Sequence, residues 1–71
     1  MITTDFLNLW ETADELNVEP WRLSRLGRYL RIDPGEKRVP AADVQRFAEL
    51  DDPEHRYAAV RSWLIGSLAQ K

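Results

Sequence analysis

The chain contains no cysteine, so neither a disulfide framework nor a thiolate metal site is open to it. Its one histidine, His55, has no second imidazole or thiol with which to share a metal, and beside a helix start it reads as a surface residue. With three glycines there is no glycine-rich phosphate loop, and no nucleophile, base and orienting group form a set. The sequence therefore offers no basis for catalysis and requires no cofactor. No apolar run approaches the length of a membrane span, and no basic region leads into one near the first residues. Together with the lack of cysteine, this leads to the expectation of a cytoplasmic protein. At 71 residues the chain has room for one domain, over 1–71, too small for a cofactor-binding fold with a substrate pocket.

What is present is an ordinary folding composition, 44% apolar and 31% charged. Asn8 and Glu11 have the spacing of a capping box. Leu9, Thr12, Ala13 and Leu16 then share one helical face, Asn17 suits a left-handed cap, and Val18 folds back onto the core. Pro20 fits the first position of a second helix, with Leu23 and Leu26 inward and Gly27 as its terminator. The alternation from Arg28 to Ile32, the Asp33-Pro34-Gly35-Glu36 turn and Lys37-Arg38-Val39 predict a short hairpin. Pro40 sits in the first turn of a third helix, with Val44, Phe47, Ala48 and Leu50 on its apolar face. Asp52 and Pro53 open a fourth, from about 53 to 69.

Charge is unevenly distributed. From Arg22 to Arg38 there are six basic residues against two acidic, whereas the rest of the chain carries four basic against ten acidic. A basic stretch on an acidic body fits a protein that presents one face to phosphates; the bland alternative is a solvated helix surface. The two remain open on charge alone.

Two stretches resemble the excisionase and MerR-like winged helix-turn-helix group. The first is Leu7-Asn8-Leu9-Trp10-Glu11-Thr12-Ala13-Asp14-Glu15-Leu16-Asn17-Val18; the second, more specific, is Arg38-Val39-Pro40-Ala41-Ala42-Asp43-Val44-Gln45-Arg46-Phe47. Together they mark out a core over 7–50. The resemblance implies a mainly α fold in which two short helices, a β-hairpin wing and a third helix are followed by an added C-terminal helix. It implies that the helix from Pro20 lies in the major groove of double-stranded DNA. Arg22 and Arg25 would then read guanine or clamp phosphates, with Ser24 as a further polar contact. Arg28 and Arg31 at the start of the wing, with Lys37 and Arg38 on its return strand, would reach phosphates or the minor groove. Taken singly, each arginine has a plainer reading as a surface salt bridge to Asp14, Glu15 or Glu19. Trp21 reads as a lid on the core, and Trp10 and Trp63 as core or interface residues.

On the fourth helix Tyr57, Val60, Trp63, Leu64 and Leu68, with Ile65 at the flank, make an apolar arc of roughly 200°. It could cover the open side of the core, or form an interface with another copy or an integrase. The implied function is that of an excisionase-type recombination directionality factor, a sequence-specific DNA-binding protein that acts architecturally and without chemistry. The alternatives are a small MerR-like transcription regulator, a terminase small-subunit module needing a larger assembly, and a protein-interaction adaptor that keeps the fold without binding DNA. Net acidity and Glu19 favour the adaptor.

Overall fold

A computed structural model describes residues 5–69 of the domain expected over 1–71. Its elements are β1 (Phe6–Leu7), α1 (Leu9–Leu16), α2 (Pro20–Tyr29), β2 (Val39–Pro40), α3 (Ala41–Ala48) and α4 (Pro53–Ala69). Among the described residues the fold is mainly helical, and no helix is long and apolar enough to cross a membrane.

Local chemistry sets both ends of α1. The Asn8 side chain accepts from the Glu11 amide at 2.8 Å and Glu11 Oε1 accepts from the Asn8 amide at 3.0 Å, completing the capping box. Thr12 is fully buried, and its hydroxyl donates to the Asn8 carbonyl at 2.8 Å. Asn17 is left-handed, at φ 57°, where amide bonds from Val18 to Ala13 O and from Asn17 to Asp14 O close a Schellman motif. Asn17, Val18 and Glu19 form the three-residue turn into α2.

The second helix does not stop at Gly27. It runs on to Tyr29, and the left-handed residue that ends it is Arg31, at φ 62°. Amide bonds from Ile32 to Gly27 O (2.6 Å) and from Arg31 to Arg28 O (3.1 Å) repeat the Schellman pattern there. Gly27 has another task. A Cβ on it would lie 3.0 Å from Ile32 O and 3.3 Å from Pro34 Cγ, so its bare backbone lets the loop fold against α2.

The hairpin expected between Arg28 and Val39 is absent. The left-handed Arg31 breaks extended geometry. Asp33 also takes up the amides such a hairpin would need: its carboxylate accepts from Gly35 and its carbonyl from Glu36 and Lys37. The Pro34 carbonyl accepts from Leu9 N at 2.9 Å, tying the loop to the start of α1. Val39 instead pairs antiparallel with Leu7, and Pro40 with Phe6. Pro40 consequently belongs to β2 and precedes α3 rather than occupying its first turn.

The core comprises Leu9, Ala13, Leu16, Val18, Leu23, Leu26, Val39, Val44, Val60 and Leu64. Phe47 and Ala48 pack partly against it, whereas Leu50 is exposed. The fourth helix starts as expected, with Asp52 Oδ1 accepting from the Glu54 amide at 3.0 Å. Its Val60 and Leu64 have no exposed area, so the centre of the apolar arc is used within the chain. Arg56 reinforces this docking. Its guanidinium donates to Leu50 O at 2.7 Å and to Leu16 O at 3.1 Å, placing a cation on the negative end of α1.

Two substitutions test the ending of α2. Elsewhere in a helix Gly→Ala gains about 1 kcal/mol; Gly27→Ala is expected instead to lose about 1–2 kcal/mol through crowding. Arg31→Gly should gain roughly 1 kcal/mol by relieving the left-handed strain. Midpoints of urea unfolding measure both, and a more stable Gly27→Ala protein would contradict the close approach. Leu64→Ala should cost about 2–5 kcal/mol, showing that α4 is integral to the fold.

Candidate nucleic-acid interface

The Schellman turn at Asn17 delivers the chain into α2 with Leu23 and Leu26 facing the core. At about 100° per residue, Trp21, Arg25, Arg28 and Tyr29 then fall within one outward arc of roughly 100°, with Ser24 and Arg22 on opposite flanks. Arg25 and Arg28 are exposed, Ser24 is half-buried, and α2 carries no acidic residue. Arg31 and Arg38 are exposed on the loop that follows. Among the described residues, Arg25, Arg28, Arg31 and Arg38 form no ion pair.

The other two cations are engaged. Arg22 forms a bidentate pair with Glu54 on α4, at 2.7 and 3.1 Å, and its guanidinium lies 4.2 Å from the centre of the Tyr57 ring. Glu19 is a looser neighbour of the same guanidinium, at 4.0 Å. Arg22 thus forms a salt bridge, with Glu54 as its main partner rather than Asp14, Glu15 or Glu19. Lys37 Nζ donates to Ser67 Oγ at 3.1 Å and sits 5.5 Å from the centre of a Trp63 ring. Both cations fasten earlier parts of the chain to α4.

The hydrogen bond and charge of Arg22 hold the Glu54 carboxyl below its ordinary value of 4.5, and the same bond raises the Arg22 guanidinium. Glu54 remains 66% exposed, so solvent screens the pair and its energetic weight is small.

The aromatic residues depart from expectation. Trp21 does not cover the core; it is 57% exposed, and Tyr29 is 82% exposed. Trp10 is also exposed in part, near Gly35, whereas Trp63 packs against the core under Lys37. Of the five residues expected at an interface on α4, Val60 and Leu64 are wholly buried, Tyr57 and Trp63 partly buried, and Leu68 exposed. Arg61, which carried no assigned role, is exposed beside α2. With Trp21, Arg25, Tyr29 and Tyr57 it lines a shallow cleft of about 420 Å³ between α2 and α4. Its position one turn after Tyr57 was the available signal.

No family model, curated protein or solved structure matches the chain.

The Arg22–Glu54 pair predicts an acid response with a definite sign. Because the folded-state pKa of Glu54 is depressed, the pair's contribution is present above the unfolded value and is lost as pH falls through the folded one. Glu54→Gln should flatten this part of the stability profile below about pH 4.5 while changing stability near neutral pH only slightly. Thermal unfolding across a pH series checks it; parallel acid limbs for the two proteins would contradict the pair.

Proposed function

We propose that this protein binds double-stranded DNA through the outward side of α2, in the manner of the excisionase and MerR-like helix-turn-helix group. The observation that carries the reading is the set Ser24, Arg25, Arg28, Arg31 and Arg38: four exposed arginines without ion-pair partners among the described residues, on and beside a helix entered by a three-residue turn. In a major groove Arg25 and Arg28 reach base edges or phosphates, with Ser24 beside them. Arg31 and Arg38 approach the flanking backbone from a loop that stands where the winged group has its hairpin. Arg22 and Lys37 have smaller roles, because each must first leave its partner on α4.

The resemblance in Leu7–Val18 and Arg38–Phe47 supports an architectural role: sequence-specific binding that shapes DNA for an integrase, as excisionase-type directionality factors do, or that regulates transcription. A partner surface on α4 is reduced to its exposed margin at Ile65 and Leu68, since Val60 and Leu64 are buried. The engagement of Arg22 and Lys37 by α4 favours a second reading, that of a protein-interaction adaptor without DNA binding.

Fluorescence anisotropy with mixed duplex DNA across a salt series separates the two. Binding should weaken steeply with salt, each phosphate contact contributing about 0.9 to the log–log slope. Arg25→Ala and Arg28→Ala should each weaken binding about tenfold, and Arg22→Ala distinctly less. No binding at about 50 mM salt would favour the adaptor.

A further inference from the structure

The duplex reading leaves the α4 side of the interface without a task. Trp21 and Tyr29 lie eight residues apart on α2, about 12 Å along its axis, with Arg25 between them. Across the cleft stand Tyr57, already carrying the Arg22 guanidinium, and Arg61. Arg25 and Arg61 form no ion pair among the described residues. Isolated exposed aromatics are commonplace on protein surfaces. Here two of them, 57% and 82% exposed, bracket unpaired arginines along one shallow channel.

We infer that the cleft between α2 and α4 binds single-stranded nucleic acid, with bases stacking on Trp21 and Tyr29 and backbone phosphates held by Arg25 and Arg61. An unpaired base exposes a flat π face that a stacked duplex hides, and stacking on an aromatic side chain requires no particular sequence. Cations spaced between aromatic platforms track the phosphates that join successive bases. The roughly 12 Å between the platforms leaves room for more than one nucleotide, and a volume of about 420 Å³ in an open channel suits a strand passing through. An acidic peptide would engage the arginines but leave the aromatic faces unused. The inference shares Arg25 with the duplex reading but is otherwise carried by Trp21, Tyr29 and Arg61, away from the Ser24 flank of α2.

The test measures anisotropy of a labelled oligothymidylate of about twelve nucleotides at about 50 mM salt. A duplex and an oligoglutamate of matched length are measured in parallel. The expected result is oligothymidylate binding with quenching of tryptophan fluorescence, and weaker or absent binding of oligoglutamate. Trp21→Ala should remove most of the quenching, and Trp21→Ala and Tyr29→Ala should each weaken single-strand binding roughly tenfold. Both residues are exposed, and circular dichroism verifies that the variants fold. Arg61→Gln, at an exposed position on the far wall, should weaken binding and lower the salt slope by about 0.7. Absence of oligothymidylate binding, equal affinity for oligoglutamate, or full-strength binding by both aromatic variants would overturn the inference. Duplex binding without single-strand binding overturns this inference alone; single-strand binding that depends on Trp21 and Tyr29, without duplex binding, supports it and overturns the duplex reading.

Discussion

The burial of Val60 and Leu64 is the constraint on which the rest of this structure depends. A chain of 71 residues can bury only a limited apolar core. Here α4 supplies two of the ten buried apolar side chains among the described residues, each contributing about 1.5–3 kcal/mol when fully removed from water. Three cationic side chains then span the seam between α4 and the elements before it. Arg56 reaches back to the carbonyls of Leu16 and Leu50, Arg22 reaches forward to Glu54 and Tyr57, and Lys37 to Ser67 and Trp63. The exposed Arg22–Glu54 pair adds little energy and marks where α2 and α4 face one another. Docking α4 thus has an electrostatic consequence: it withdraws two of the six clustered basic residues and leaves the others outward.

The parts legible in the sequence are those governed by neighbours within a few residues. Asn8 and Glu11 close a box across three positions, Asn17 accepts the left-handed conformation that ends α1, and Asp52 caps α4. Such signals require no knowledge of the fold. Reading Gly27 required tertiary information. A glycine near a helix end indicates termination when only neighbours are weighed, yet its lack of a side chain is needed by a loop that returns over it. A helix ending at Gly27 would have left Arg28–Ile32 available for a strand, whereas the real helix consumes Arg28 and Tyr29 and makes Arg31 its left-handed cap. The strand partner of Val39 proved to be Leu7, a pairing distant in sequence that no turn motif announces.

The candidate site was legible to a similar degree and for the same reason. A run of arginines at helical spacing indicates a cationic surface, and four of its residues are exposed without ion-pair partners among the described residues. Which arginine would be taken up by a carboxylate depended on Glu54, 32 residues further on. The exposure of Trp21 was legible, since with Leu23 and Leu26 inward a turn of about 100° per residue already places it opposite them; reading it as a lid weighed residue type above phase. Arg61 entered the surface only once α4 was laid against α2.

The ending of α2 connects stability to the proposed function. Glycine would satisfy the left-handed position after this helix without strain, and the chain has Arg31 there, at a cost of roughly 1–2 kcal/mol relative to the right-handed conformation. The two amide bonds of the motif belong to the backbone and would form equally well around glycine. Among the described residues the guanidinium takes part in no ion pair, and it stands exposed just beyond Arg28, so folding gains nothing evident from it. A strained backbone that presents an idle cation is hard to explain by packing but fits a surface used on phosphates. The left-handed turn also brings Ile32 back toward the core, which leaves Arg31 at the outer corner where α2 gives way to the loop. Cap geometry thereby extends the cationic row beyond the last turn of the helix, in place of the hairpin that the residue types alone led one to expect.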